Sequence, residues 1–127
     1  MNRKAIGDLG ETAVCEYLKQ NGYTILDRNF HARCGEIDII AVKDDVMCFV
    51  EVKTRSASPY LSGQYAVDQR KQFHIMRTAS YYLSVTKCEL QPRFDIIEVE
   101  VERGSGQMKK INHIKNAFSQ TENYARF

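Results

Sequence analysis

The sequence predicts an α/β fold of order αβββαβ, a mixed sheet flanked by helices. Three observations predict it. Apolar residues recur at helical spacing in two stretches, about 3–21 and 68–85. Between them lie three β-rich runs joined by short turns, the pattern of an antiparallel meander. A further β-rich run follows the second helical stretch, and a helical crossover returns it to the same sheet. The chain of 127 residues suits one domain, 1–127.

In the first helical stretch Ile6, Leu9, Ala13, Tyr17 and Leu18 define the apolar face, and Asn21-Gly22 supplies a stop. "YTILDRNFH" is the first strand, and "ARCG" is a turn. "EIDIIAV" and "VMCFVEVKT" form a hairpin around Lys43-Asp44-Asp45. "RSASPYLSGQYAV", rich in Ser, Gly and Pro, is a surface loop. The second helix carries Ile75, Ala79, Tyr82 and Leu83 on one face and Arg70, His74, Arg77 and Tyr81 on another. "RFDIIEVEVE" is the fourth strand and "MKKINHI" a shorter edge strand, and "KNAFSQTENYARF" begins helical.

Apolar content of 43% and charged content of 27% are those of an ordinary globular protein. No apolar run is long enough to cross a bilayer, and no signal peptide is read at the start. Cys15, Cys34, Cys48 and Cys88 are scattered, without a C-x-x-C pair. That argues against a zinc site or a disulfide framework and for free thiols in the cytoplasm. His31 and Cys34 lack a second pair of ligands and read as ordinary loop residues.

The net charge of +2 announces no polyanion partner, but its distribution is uneven. Residues 36–51 carry five acids and one base, and residues 52–94 carry seven bases and two acids. An acidic centre beside basic flanks suits a metal site that also holds a polyanion. A two-residue turn at Asp44-Asp45 pairs hairpin residues whose numbers sum to 89. Asp38 then faces Glu51, and Glu36 faces Lys53, with β-carbons about 4.5–5.5 Å apart on one face. Ile37, Ile39, Val50 and Val52 fall on the other face. Opposed carboxylates destabilise a hairpin, and a hard divalent cation with oxygen ligands removes the conflict. Lys53 is placed to orient or deprotonate a water. Glu11 on the first helix can project toward the same edge. The plain alternative is an exposed hairpin whose solvent face holds these charges as ion pairs.

An acid in one strand followed by E-x-K in the next, within an αβββαβ chain, resembles the PD-(D/E)-x-K nuclease core. Here the acid is Asp38 and the E-x-K is Glu51-Val52-Lys53, with Ile37 at the proline position. More closely, "GDLGETAVCEYL", "GYTILDRNF", "GEIDIIA", "FVEVKTR" and "HIKNAF" are similar to the YraN-like bacterial proteins. That family is related to archaeal Holliday-junction resolvases. The resemblance implies a restriction-endonuclease-like fold and a metal-dependent DNA endonuclease acting on branched or structured DNA. It implies Mg²⁺ or Mn²⁺ on Asp38, Glu51, the Val52 carbonyl and Glu11, with Lys53 catalytic. Gln64 lies where some relatives place a further polar residue. A homodimer is implied too, since such relatives act as symmetric dimers.

Arg55, Arg70, Lys71 and Arg77 are candidates to grip phosphates, and Tyr60 and Tyr65 to stack on bases. The rival reading is a catalytically silent nucleic-acid-binding or adaptor protein that keeps the fold.

Overall fold

A computed structural model describes residues 2–56, 67–102 and 104–119. The order is α1 (Arg3–Gln20), β1 (Thr24–Ala32), β2 (Gly35–Lys43), β3 (Val46–Ser56), α2 (Gln69–Thr86), β4 (Gln91–Val101) and β5 (Met108–Phe118). The strands form one sheet in sequence order. β1, β2 and β3 are a meander, β4 lies parallel to β3 after the α2 crossover, and β5 is antiparallel to β4. This is the predicted mixed α/β architecture with an αβββαβ core.

Each strand of the centre is buried on both faces, because the two helices cover opposite sides. On the α1 side Val14, Leu18, Ile39, Val50, Ile97 and Val99 pack together. On the α2 side Ile40, Phe49, Ile75, Ala79, Tyr82 and Phe94 do so. The helix ends are capped by their own side chains. The Asn2 carboxamide oxygen accepts from Ala5 N at 2.8 Å, and the Asp68 carboxylate accepts from Lys71 N at 2.8 Å. The second cap fixes the first turn of α2, and with it Lys71.

Gly10 lets α1 approach β3. A β-carbon there would lie 2.7 Å from Thr54 Cβ, a contact that short side-chain motion cannot relieve. Gly10→Ala is therefore expected to destabilise the protein by about 1–3 kcal/mol, the usual cost of overpacking, as read by urea unfolding. An unchanged midpoint would show that the helix stands off the sheet.

The last strand is longer than the sequence suggested. "KNAF" continues β5 instead of starting a helix. Asn116 takes a positive φ of 53° while its N–H donates to Asp95 Oδ1 at 3.0 Å, and Phe118 stacks on Phe94 at 5.3 Å. These tertiary contacts override a weak local helix preference.

Asp95 is fully buried and anchors that end of the sheet. Arg93 donates to both its oxygens, at 2.9 and 2.7 Å, and His113 Nε2 lies 2.7 Å from Oδ2. Burial alone would raise this carboxyl, but the bonds from His113 and Arg93 outweigh it and hold it well below the usual carboxylate range. Arg93 also reaches the Tyr23 hydroxyl at 2.6 Å, and the Tyr17 hydroxyl meets His113 Nδ1 at 2.9 Å. The network ties β4 and β5 to the C-terminal end of α1.

Candidate functional site

The hairpin register is the expected one at its turn end. Val42 faces Met47, Ile40 faces Phe49 and Ile39 faces Val50. Beyond Ile39 the ladder stops, so Asp38 does not sit opposite Glu51 as a paired residue. Its carboxylate instead accepts from Val52 N at 2.8 Å, supplying the acceptor that a continuing strand would have provided. The side-chain alternation breaks at the same point. Ile37 packs on the α2 side while Ile39 packs on the α1 side, which corrects the shared face expected for them. Glu36 does not face Lys53. It stays paired to β1, where it meets His31 at 3.2 Å.

Glu51 is 5% exposed, and its Oε1 receives two ammonium groups. Lys71 Nζ lies at 2.7 Å and Lys53 Nζ at 3.5 Å. Burial alone would lower the Lys71 pKa, but the hydrogen bond and charge of Glu51 outweigh it and raise it. Among the described residues no ammonium stands within ion-pairing distance of Asp38. Burial, and then the charge of Glu51, push its carboxyl up to about 7. The two acids therefore meet in a half-shielded place with one neutralised by lysines and the other holding its proton to near neutrality.

Glu11 arrives from α1. Its charge is felt at Asp38, and burial raises its own pKa. Arg28 Nη2 lies 3.8 Å from Glu11 Oε1, an oxygen that is buried and accepts no hydrogen bond among the described residues. Among the described residues no three His, Cys, Asp or Glu side chains converge as a ready metal-ligand group. A cation here would draw on the carboxylates of Asp38 and Glu51 and the Val52 carbonyl. Glu11 Oε1, which has the Arg28 charge at 3.8 Å but no hydrogen bond among the described residues, is the feature that fits an added cation best, because a buried carboxylate oxygen without a hydrogen bond is costly.

The basic candidates divide. Lys71 belongs to the carboxylate cluster itself, a placement its position on a helix 20 residues beyond Glu51 did not reveal. Arg70 and Arg77 are exposed on α2, with Arg77 over the Phe73 ring at 5.5 Å. Arg55 is exposed at the end of β3, opposite Glu100 in the β3–β4 register. Gln64, Tyr60 and Tyr65 lie outside the described residues. No helix among the described residues is long and apolar enough to cross a membrane.

A family model described as "Uncharacterised protein family UPF0102" matches residues 10–99, which include Glu11, Asp38, Glu51, Lys53 and Lys71. The chain is 42% identical over 119 residues to a UPF0102 protein of Caldanaerobacter subterraneus subsp. tengcongensis, covering 93% of this chain and 98% of that one. It is 46% identical over 121 residues to one of Acetivibrio thermocellus, covering 92% and 93%. To one of Trichlorobacter lovleyi it is 48% identical over 118 residues, covering 91% of each. With the family model spanning most of the chain and such relatives matched nearly end to end, the chain belongs to the uncharacterised protein family UPF0102, the YraN-like group.

Proposed function

We propose that this protein is a metal-dependent DNA endonuclease whose site is Asp38, Glu51 and Lys53, with Glu11 and Lys71 beside them. The observation that carries the reading is the meeting of Asp38 and Glu51 where β2 and β3 separate, with Lys53 at 3.5 Å from Glu51. Where the ladder stops, the half-buried Asp38 carboxylate comes close enough to the buried Glu51 to feel its charge. Mg²⁺ or Mn²⁺, when bound, would polarise a phosphate oxygen and lower the pKa of a water. Asp38 and Glu51 would hold the cation, Val52 would lend its carbonyl, and Glu11 would offer the oxygen that Arg28 meets at 3.8 Å. Lys53 would stabilise charge developing on the phosphate. Arg55, Arg70 and Arg77 would grip neighbouring phosphates.

The test is a panel of flap, fork, four-way-junction and single-stranded DNA with Mn²⁺ or Mg²⁺. Cleavage of at least one form, stopped by EDTA, is the expected result. One observation favours the rival reading of a silent binding protein. Lys71 already neutralises Glu51 at 2.7 Å, so the acid is satisfied without any metal. That reading predicts binding without cleavage across the panel.

Either reading predicts that phosphate contacts dominate DNA affinity. Affinity should fall steeply with salt, and Arg70→Ala or Arg77→Ala should flatten the slope by about one ion each. Salt-independent binding, or none at low salt, would remove the nucleic-acid role. A homodimer that cuts twice is part of the same proposal, and sedimentation with and without a four-way junction reads it directly.

A further inference from the structure

Beside the carboxylates lies a cavity of about 430 Å³ between the β1–β2 turn and the first two turns of α2. This is within the roughly 300–1,000 Å³ range of small-molecule sites. Arg33, Lys71, His31 and His74 supply its polar wall, and Ala32 and Ile75 give it apolar surface. Glu36 is the acid in the lining, and it is engaged by His31 at 3.2 Å. The turn sits close on the helix because residue 35 is glycine. Its φ is 152°, and a β-carbon there would approach Thr78 Oγ1 to 3.0 Å. The wall is therefore built by packing.

Arg33 and His74 line the cavity together with Lys71, which is shared with Glu51, and His31, which is shared with Glu36, and this basic wall favours an anion. The apolar surface selects something larger than a bare anion. Lys71 decides which anion. It lines the cavity and also touches Glu51 at 2.7 Å, so a phosphate in the cavity stands one side chain from the carboxylates. The cavity is open to solvent, and an unpaired nucleotide can bend into it, whereas a base stacked and paired inside a duplex is held in its stack.

We propose that this cavity is a nucleotide subsite, taking one unpaired nucleotide of the strand whose neighbouring phosphate would meet the cation held by Asp38 and Glu51. The substrate is then a nucleic acid with a single-stranded nucleotide next to the bond concerned. The inference rests on the proposed function for its placement, but its test does not need cleavage.

The experiment is fluorescence anisotropy at low salt in EDTA, with a labelled single strand and the same sequence as a blunt duplex. The wild type should prefer the single strand. Arg33→Ala/His74→Ala should weaken single-strand binding roughly tenfold or more, the loss expected for one charge-assisted contact, and leave duplex binding within about twofold. Arg33→Glu, an exposed change that leaves the packed His74 in place, should give the same direction without risk to folding. Equal preference in wild type and both variants would overturn the subsite. So would a wild type with no preference. If these binding results hold and no substrate is cut with Mn²⁺, the subsite stands and the nuclease reading falls. If cleavage occurs with the preference untouched by either variant, the reverse is true.

Discussion

Asp38→Asn should flatten the pH dependence of stability in metal-free buffer and abolish cleavage in the presence of Mn²⁺. The first effect follows from the raised carboxyl. In the unfolded chain Asp38 loses its proton near the ordinary value of 3.8, while in the fold it keeps it to about 7. Between those limits the folded state binds the extra proton. Its stabilising contribution is complete below pH 3.8 and is lost as pH rises to about 7, with no further change above. Each unit is worth about 1.4 kcal/mol, so the wild type should lose up to a few kcal/mol over that span. Asparagine keeps an oxygen for Val52 N and does not titrate, so this slope disappears from the variant. Mn²⁺ should act in the opposite sense on the wild type. By binding only the native state, it should raise the melting temperature most above pH 7, where the carboxyl is free of its proton. Asp38→Asn should abolish most of that increment. Parallel pH curves, or equal Mn²⁺ shifts in both proteins, would place the acid conflict and the ion elsewhere.

The fold was legible because its signals are local and repeated. Apolar spacing marks α1 and α2, and the Asp44-Asp45 turn sets the register through Ile39 and Val50. The site was legible as a set of residues but not as a geometry. Alternation along a strand assumes that the ladder continues, and at Asp38 it does not. The carboxylate's bond to Val52 N and the turn of Ile37 to the other face are consequences of that break. Lys71 was visible only as one base among several on a helix. Its pairing with Glu51 is a product of the crossover and of the Asp68 cap. His31 read as an ordinary loop residue and His74 as one member of the basic face of α2, and Arg33 gave no signal, because a pocket wall is assembled from a turn and a helix about 40 residues apart in sequence. The Asp95 network had one trace in the sequence. Asp95 interrupts an apolar strand, with Arg93 two residues before it and so on the same face.

Lys53→Met should cut DNA cleavage by about 10²–10³ while leaving folding, metal binding and DNA affinity largely intact. Lys53 Nζ stands 3.5 Å from Glu51 Oε1, farther than Lys71 Nζ at 2.7 Å. Removing it therefore does not orphan the buried acid, since Lys71 remains on it. The Lys53 side chain is about one-fifth exposed, and methionine replaces much of its apolar stem. Stability should consequently change little, because Glu51 keeps Lys71 at 2.7 Å. The carboxylates are untouched, so the Mn²⁺-induced rise in melting temperature should persist. Arg55, Arg70 and Arg77 are untouched as well, so the salt dependence of DNA binding should match the wild type. What is lost is a positive charge beside Glu51, placed where a phosphate on the cation of Asp38 and Glu51 would gather negative charge as it reacts. Wild type, Lys53→Met and Asp38→Asn should be compared on the flap, fork, four-way-junction and single-stranded panel with Mn²⁺. Equal cutting by all three would mean a contaminating nuclease and would sink the assigned site. A wild type that binds without cutting, with Lys53→Met changing only the binding slightly, would favour the silent binding protein. A tenfold or larger loss of DNA affinity in Lys53→Met would recast the lysine as one of the phosphate grips.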